Sequence, residues 1–496
     1  MSAIKLDAAH LSEIGQAGRV PVPTYDRSAV RTGIVHVGVG GFFRAHQAMY
    51  LDRLMNEGSA LEYGICGVAA LPHDRRIFEA MSSQDCLYTL VLKHPDGSFT
   101  PRVIGSMVEM LFAPDDPAAV VDKMADPATK IVALTITEGG YLIDQVTGEF
   151  RADHPSIQGD LEAGAEPTTA FGFIVAALRR RRDAGVTPFT VQSCDNLPGN
   201  GDVAKYAIGA FAKLVDPELA AWIEANVSFP NAMVDRITPV TTDDDRALVR
   251  DEFGIEDAWP VVCEPFTQWV IEDHFPAGRP AWEDVDVQLV EDVVPYELMK
   301  LRLLNASHQA LTYLGYLSGY RYAHEVCSDD LFRGFLLRYM EREGSPTLPQ
   351  VPGVDLDAYR RELIDRFANP AVRDTLARLC AESSDRIPKW LVPVIRNNLS
   401  HGGEIEASAL VVASWARYAE GVDEAGESID VVDHDKERVM ATAARQKDEP
   451  LAFLSMKDYF GDLGDDDRFT QAYGRALESL HTKGARATLE DWQKED

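Results

Sequence analysis

At 496 residues the chain has room for roughly two or three domains, and its 46% apolar and 26% charged residues are an ordinary globular composition. Forty-eight Lys+Arg against 79 Asp+Glu leave a net charge of −31, which repels phosphate backbones and anionic lipid and argues against nucleic-acid and membrane-surface roles. The N-terminus (MSAIKLDAAHLSEIG) lacks an apolar signal core and no apolar run reaches about 18 residues, so a cytoplasmic protein without a membrane span is expected. Cys66, Cys86, Cys194, Cys263, Cys327 and Cys380 are scattered with no CxxC, and there is no HExxH; reduced thiols and a metal-free site are expected.

In chain order, GIVHV (33–37) predicts a buried parallel strand, followed by a glycine turn and an amphipathic helix in GVGGFFRAHQAMYLDRLM. Further strands are predicted at Tyr63–Val68, at Lys130–Thr137 and in VTPFTVQSCDN, the last preceded by a helix ending AALRRRRDAG. The run Arg179–Arg182 reads as a basic last turn complementing the helix dipole before Gly185, rather than as a nucleic-acid patch. Strands alternating with helices indicate an α/β domain, an extended Rossmann-type doubly wound sheet. Beyond Val285–Val294 the pattern is helical, over 295–319, 329–344, 356–382, 388–399, 405–420 and 466–482, with Val422–Asp435 an acidic loop. The expected organisation is a dinucleotide-binding domain over 1–290 and a mainly α-helical substrate and catalytic domain over 291–496.

Gly38, Gly40 and Gly41 follow a strand and open a helix, the setting in which backbone amides can hold a pyrophosphate. Phe43 stands where GxGxxG has its third glycine, so a plain strand-to-helix turn is an equal reading; Arg44 at the helix start is placed to reach a phosphate. Asp74 is the nearest carboxylate after the second strand and fits a ribose hydroxyl, favouring NAD over NADP. Arg75 and Arg76 point the other way, and Asp74 as a helix cap is the competing reading.

The helix beginning near Pro295 sets polar groups into an apolar face. With about 100° per residue and Lys300 at zero, Glu297 falls near 60°, His308 near 80° and Asn305 near 140°, with Leu301 and Leu304 on the same arc. A lysine desolvated among leucines can accept a proton from an alcohol as hydride leaves the carbon. Asn305 can donate to the developing alkoxide, His308 can bind a hydroxyl, and Glu297 can relay the proton outward. Against this stand a snorkelling Lys300, a core His308 and a structural Glu297–Lys300 pair. Tyr296-x3-Lys300 matches the tyrosine–lysine pair of short-chain dehydrogenases, but it lies far beyond the glycine turn, so Lys300 is kept as the base.

Asn196, at the carboxyl end of the VTPFTVQSC strand, is placed to offer its amide to the same oxygen, or else simply begins the Pro198-Gly199 turn. Asp235 and Arg236 form a structural ion pair or line the substrate cleft.

With GVGGFFRAHQ, SCDNLPGNG, FPNAMVDRITP and Lys300-x4-Asn305-x2-His308, the chain resembles the polyol-specific long-chain dehydrogenases/reductases. The resemblance implies a metal-independent, NAD-dependent exchange between a polyol and its ketose, mannitol and fructose first among them. Lys300 is then the general base, Asn196 and Asn305 polarise the reacting oxygen, and His308 and Asp235 bind substrate. Arg378 and Arg386 match a basic pair near the distal end of the polyol. It also implies a monomer whose partners are small molecules, with no nucleic acid or membrane. Arabinitol or glucitol oxidation and uronate reduction (fructuronate or tagaturonate) stay open within the family, and a catalytically silent NAD-binding sensor outside it.

Overall fold

The computed structural model describes residues 3–144 and 147–494. Its contacts divide the chain into a sheet unit, Met1–His94 with Ser98–Val293, and a mainly helical unit, Val294–Asp496 with Pro95–Gly97.

The sheet unit is built on five parallel strands, β1 (Thr32–Val37), β2 (Gly64–Ala69), β3 (Met107–Phe112), β4 (Ile131–Leu134) and β5 (Thr190–Ser193). They lie in the order β3-β2-β1-β4-β5. Both faces are covered: Val35, Val37, Val68, Val132 and Leu134 enter one core cluster, and Ile34, Ile65, Ile131 and Ala133 the other. That is why these strands read as continuous apolar runs rather than as alternations. The order reverses between β1 and β4, which leaves a crevice at their carboxyl ends.

Three smaller sheets among the described residues were not foreseen, one of them the two-stranded parallel pair Ile4–Lys5/Ile255–Glu256. Tyr88–Lys93 pairs antiparallel with Phe99–Ile104 and parallel with Val261–Cys263; Gln268–Glu272 pairs antiparallel with Ala232–Asp235 and parallel with Gln288–Val290. The arginine run closes the helix Ala170–Ala184, whose C-cap Gly185 is left-handed. Arg181 is buried and donates to the carbonyls of Thr187 and Thr129, while Arg180 and Arg182 pair with Asp122 and Asp183. Three of the four arginines are thus taken up by packing and ion pairs.

In the helical unit several predicted helices are subdivided. The helix expected over 356–382 is two, Leu356–Phe367 and Leu376–Cys380, because Asn369-Pro370 cannot continue a helix and Arg373 is left-handed. The helix expected from 388 is also two, Ser383–Trp390 and Val392–His401. The helix expected over 295–319 runs from Val294 to Leu317 with a π-helical turn at Lys300–Asn305. A second π turn, Met340–Gly344, ends the helix that starts at Asp330.

Candidate active site

In the sheet unit a cleft of about 1160 Å³ opens at the carboxyl ends of β1 and β4, bordered by Gly38, Gly40, Gly41, Asp74, Thr135 and Thr169 among others. Gly38 has φ +92°, and a Cβ there would lie 2.2 Å from the Thr135 carbonyl oxygen, so only glycine lets the two strand ends approach this closely. Gly40 has ordinary extended backbone, φ −71° and ψ 176°. A Cβ on it would meet nothing within 4 Å; its bareness keeps space in the cleft open.

One expectation for this turn needs correction. Phe43 does not border the cleft: its ring is buried and stacks on His36 of β1 at 3.7 Å, filling the place where a third glycine would bring helix and strand together. Phe42 borders the cleft instead. Arg44 does not extend outward. It is fully buried, its guanidinium lies over Tyr88, and Nη1 donates to the Trp259 carbonyl at 2.5 Å. Burial pushes its pKa down to about 10. Its Nε and Nη2 find no partner among the described residues, and the residue is among those bordering the cleft. The helix here ends at Ala45, because His46 takes φ −122° and ψ −91°, and resumes at Gln47. Asp74 borders the cleft and also accepts the Leu71 amide at 3.0 Å, so one carboxylate serves the turn and the cleft wall.

Asn196 follows β5 and is exposed. Its neighbour Asp195, which sequence reasoning passed over, organises this edge. Its carboxylate accepts the amides of Ile136 (3.1 Å) and Thr137 (2.7 Å) and the Tyr141 hydroxyl (2.7 Å), holding the segment after β4 in which Thr137 is left-handed. Burial nevertheless pushes its pKa up to about 6, against the pull of those donors. Asn200 donates to the carbonyls of Asp195 and Ala232 and accepts the Ala232 amide, joining the SCDN segment to the strand that ends in buried Asp235. Arg236 donates to the carbonyls of Ala45 (2.6 Å) and Glu264 (3.1–3.2 Å), a structural clamp.

In the helical unit Glu297, Lys300 and Asn305 are buried and His308 is half-buried. The π turn changes the spacing read from the sequence. Ala306 donates its amide to the Leu301 carbonyl, five residues back, so across the turn the fifth residue takes the axial position that the fourth has in an α-helix. Asn305 then sits about 40° from Lys300 instead of about 140°, and His308, three α-helical residues on, about 20° to the other side. The turn gathers Lys300, Asn305 and His308 into one strip. Asn305 Oδ1 is buried with no hydrogen-bond partner among the described residues. His308 leans on the Phe367 ring at 4.4 Å, and its pKa is pushed down to about 3, by burial first and by Arg378, Arg366 and Arg386 against Asp374. It is a neutral imidazole at physiological pH, suited to binding a hydroxyl. Tyr296 donates to the Pro352 carbonyl at 2.8 Å, a structural role.

Arg378 and Arg386 are neighbours, but Arg378 is committed: its Nε and Nη2 fork onto Asp374 at 2.7 and 2.5 Å. Arg386 Nη1 donates to the carbonyls of Leu379 and Arg378. At the start of the helix bearing Arg386, Glu382, Asp433 and His434 bring ligand atoms within 4.8 Å of one another. These atoms are already paired, His434 with Glu382 at 2.8 Å and Asp433 with the Ser384 amide at 2.9 Å.

Comparison with known proteins gives two adjoining family matches, the mannitol dehydrogenase Rossmann domain over residues 32–284 and the mannitol dehydrogenase C-terminal domain over residues 292–481. The mannitol 2-dehydrogenase of Neosartorya fischeri is 47% identical over 498 residues, covering 99% of both chains. That of Aspergillus oryzae is 46% identical with the same coverage. Among solved structures, the Pseudomonas fluorescens mannitol 2-dehydrogenase ternary complex with NAD and D-mannitol is 48% identical with a TM-score of 0.88, covering 99% of this chain and 100% of that one. A substrate-free D-sorbitol dehydrogenase is 36% identical with a TM-score of 0.90, covering 98% and 100%.

Proposed function

The chain belongs to the mannitol dehydrogenase family, and from that premise we propose that it oxidises D-mannitol to D-fructose with NAD, reversibly, using Lys300 as the general base. The observation that carries the reading is the π turn, which sets a buried lysine, an amide and a neutral imidazole in one strip of an otherwise apolar helix. The relatives named for mannitol supply the substrate.

The residues of the cleft fit a dinucleotide: a bare glycine backbone at Gly40, a close strand approach at Gly38, and on bordering Arg44 a buried Nε and Nη2 without a partner among the described residues. Asp74 on the wall suits a free ribose hydroxyl, so NAD is preferred to NADP. When bound, NAD supplies the hydride acceptor. The chain's own residues handle the proton and the oxygen. Lys300 takes the hydroxyl proton, Asn305 and Asn196 donate amide hydrogens to the oxygen as it gains charge, and Glu297 passes the proton outward. His308 and Asp235 bind the remaining hydroxyls, with Arg378 and Arg386 beside the distal end.

The uronate alternative asks for a cation free to meet a carboxylate. Arg378 already spends its fork on Asp374, which leaves Arg386 as the residue that a uronate would have to engage.

The test is to follow reduced-cofactor absorbance with purified protein and a chelator, offering NAD or NADP with mannitol, glucitol, arabinitol, mannonate and altronate. Turnover of mannitol with NAD is the expected result. Turnover of the aldonates alone would move the assignment to uronate reduction, loss to the chelator would overturn the metal-free mechanism, and silence with NAD still bound would leave a sensor.

A further inference from the structure

Where the lysine turn ends, the helix returns from five-residue to four-residue hydrogen bonding. The Ala306 amide has gone to Leu301, so the next carbonyl, that of Arg302, is passed over. Tyr339, fully buried, donates its hydroxyl to this carbonyl at 3.0 Å. The Arg302 guanidinium donates to the Thr347 carbonyl, so the residue is held at both its main chain and its side chain.

Tyr339 immediately precedes the second π turn, and that turn lies against the first. A Cβ on Gly344 would come within 2.8 Å of Leu303 Cδ2 and 3.2 Å of the Arg302 carbonyl oxygen. The second turn is itself anchored. Asn398 Nδ2 donates to the Glu343 carbonyl at 3.0 Å, and the Glu343 carboxylate accepts the amides of Ala407 and Ser408 at 2.6 and 2.8 Å.

We propose that Tyr339 is a positioning residue that holds the lysine turn in its five-residue register, with Gly344 the small residue that lets the second turn approach. The inference rests on the reading of Lys300 as the base. A buried carbonyl without a donor is unfavourable, so loss of the Tyr339 hydroxyl biases the turn toward four-residue bonding. Asn305 and His308 then leave the strip they share with Lys300.

The test uses the full chain. Tyr339→Phe is expected to lower kcat for the polyol about ten- to a hundredfold, the range of a misplacement near 1 Å. Its NADH dissociation constant should stay at the wild-type value, and the pH midpoint of kcat/KM should move. Hydrogen exchange of amides 300–310 should quicken. Gly344→Ala, which pushes on the same turn, should do the same and carries the test if Tyr339→Phe does not fold. Tyr473→Phe, which removes another buried hydroxyl bond, to Gln446, should keep wild-type kcat. Wild-type kcat and pH midpoint in Tyr339→Phe would overturn the proposal, whether or not exchange quickens, and so would an equal loss in Tyr473→Phe. Exchange is read without turnover, so full activity in Lys300→Ala would remove the base assignment while leaving the register result standing.

Discussion

The glycine turn makes opposite demands at two positions two residues apart, and a pair of alanine substitutions separates them. At Gly38 an alanine must adopt φ near +92°, which costs about 1–2 kcal/mol for an L-residue. Its Cβ, built 2.2 Å from the Thr135 carbonyl oxygen, must also force the ends of β1 and β4 apart, about 1–3 kcal/mol of overpacking. Gly38→Ala should therefore destabilise the sheet unit by about 2–5 kcal/mol. At Gly40 the backbone suits any residue and the new methyl meets no atom. Gly40→Ala should be neutral or stabilising by about 0.4–1 kcal/mol through the unfolded chain. That methyl projects into the cleft, however, and should weaken NADH at least tenfold, about 1.4 kcal/mol. Urea unfolding gives the first pair of numbers and NADH fluorescence titration the second. Unweakened NADH binding in Gly40→Ala would mean that the dinucleotide does not pass over this turn, and wild-type stability in Gly38→Ala would refute the close-approach argument.

Three further outcomes follow from particular side chains. Lys300→Ala should abolish turnover while the NADH dissociation constant stays within about twofold; retained turnover would remove the base. Asp74→Ala should weaken NAD more than NADP, measured as the ratio of their KM values, and an unchanged ratio would place discrimination elsewhere. Glu343 is buried, and burial pushes its pKa up to about 7 from 4.5 despite its three donors. Because the folded value is the higher one, its contribution is fully present below about pH 4.5 and is lost as pH rises through about 7, up to roughly 3 kcal/mol. Glu343→Gln should flatten that part of the stability curve between pH 5 and 7.5, and an unchanged slope would assign the titration to another group.

The parallel strands were legible because burial on both faces leaves a continuous apolar run, as in GIVHV and KIVAL. The hairpin Tyr88–Lys93/Phe99–Ile104 carried its own signal, an Asp96-Gly97 turn between alternating residues, but that alternation is weak because Thr89 is buried among the apolar side chains. Asn369-Pro370 is the local signal that ends the helix near Phe367, and the apolar residues beyond it, such as Leu376 and Leu379, belong to the next helix. Phe43, buried against His36, does not border the cleft, whereas its neighbour Arg44 does. A motif says which residue is near a turn, and only packing says whether its side chain faces the cleft or the core.

At the lysine helix the residue types were legible and their geometry was not. Drawn as an α-helix, the segment can bury Leu303, Leu304, Leu311 and Leu314 only by leaving Asn305 about 140° from Lys300. The single extra residue of the π turn removes that conflict, since all four leucines are buried and Asn305 still comes back beside Lys300. Nothing in KLRLLN announces the insertion, because its cause lies some 35 residues on, in a tyrosine hydroxyl and a glycine that accept the bulge. The carbonyl that the bulge passes over has been given a donor, whereas Asn305 Oδ1 finds none among the described residues. An unmet buried acceptor is unfavourable by about 1–3 kcal/mol. On the reading of Lys300 as the base, the backbone beside the turn is satisfied within the fold, and Asn305 Oδ1 is the acceptor left for a substrate hydroxyl to meet.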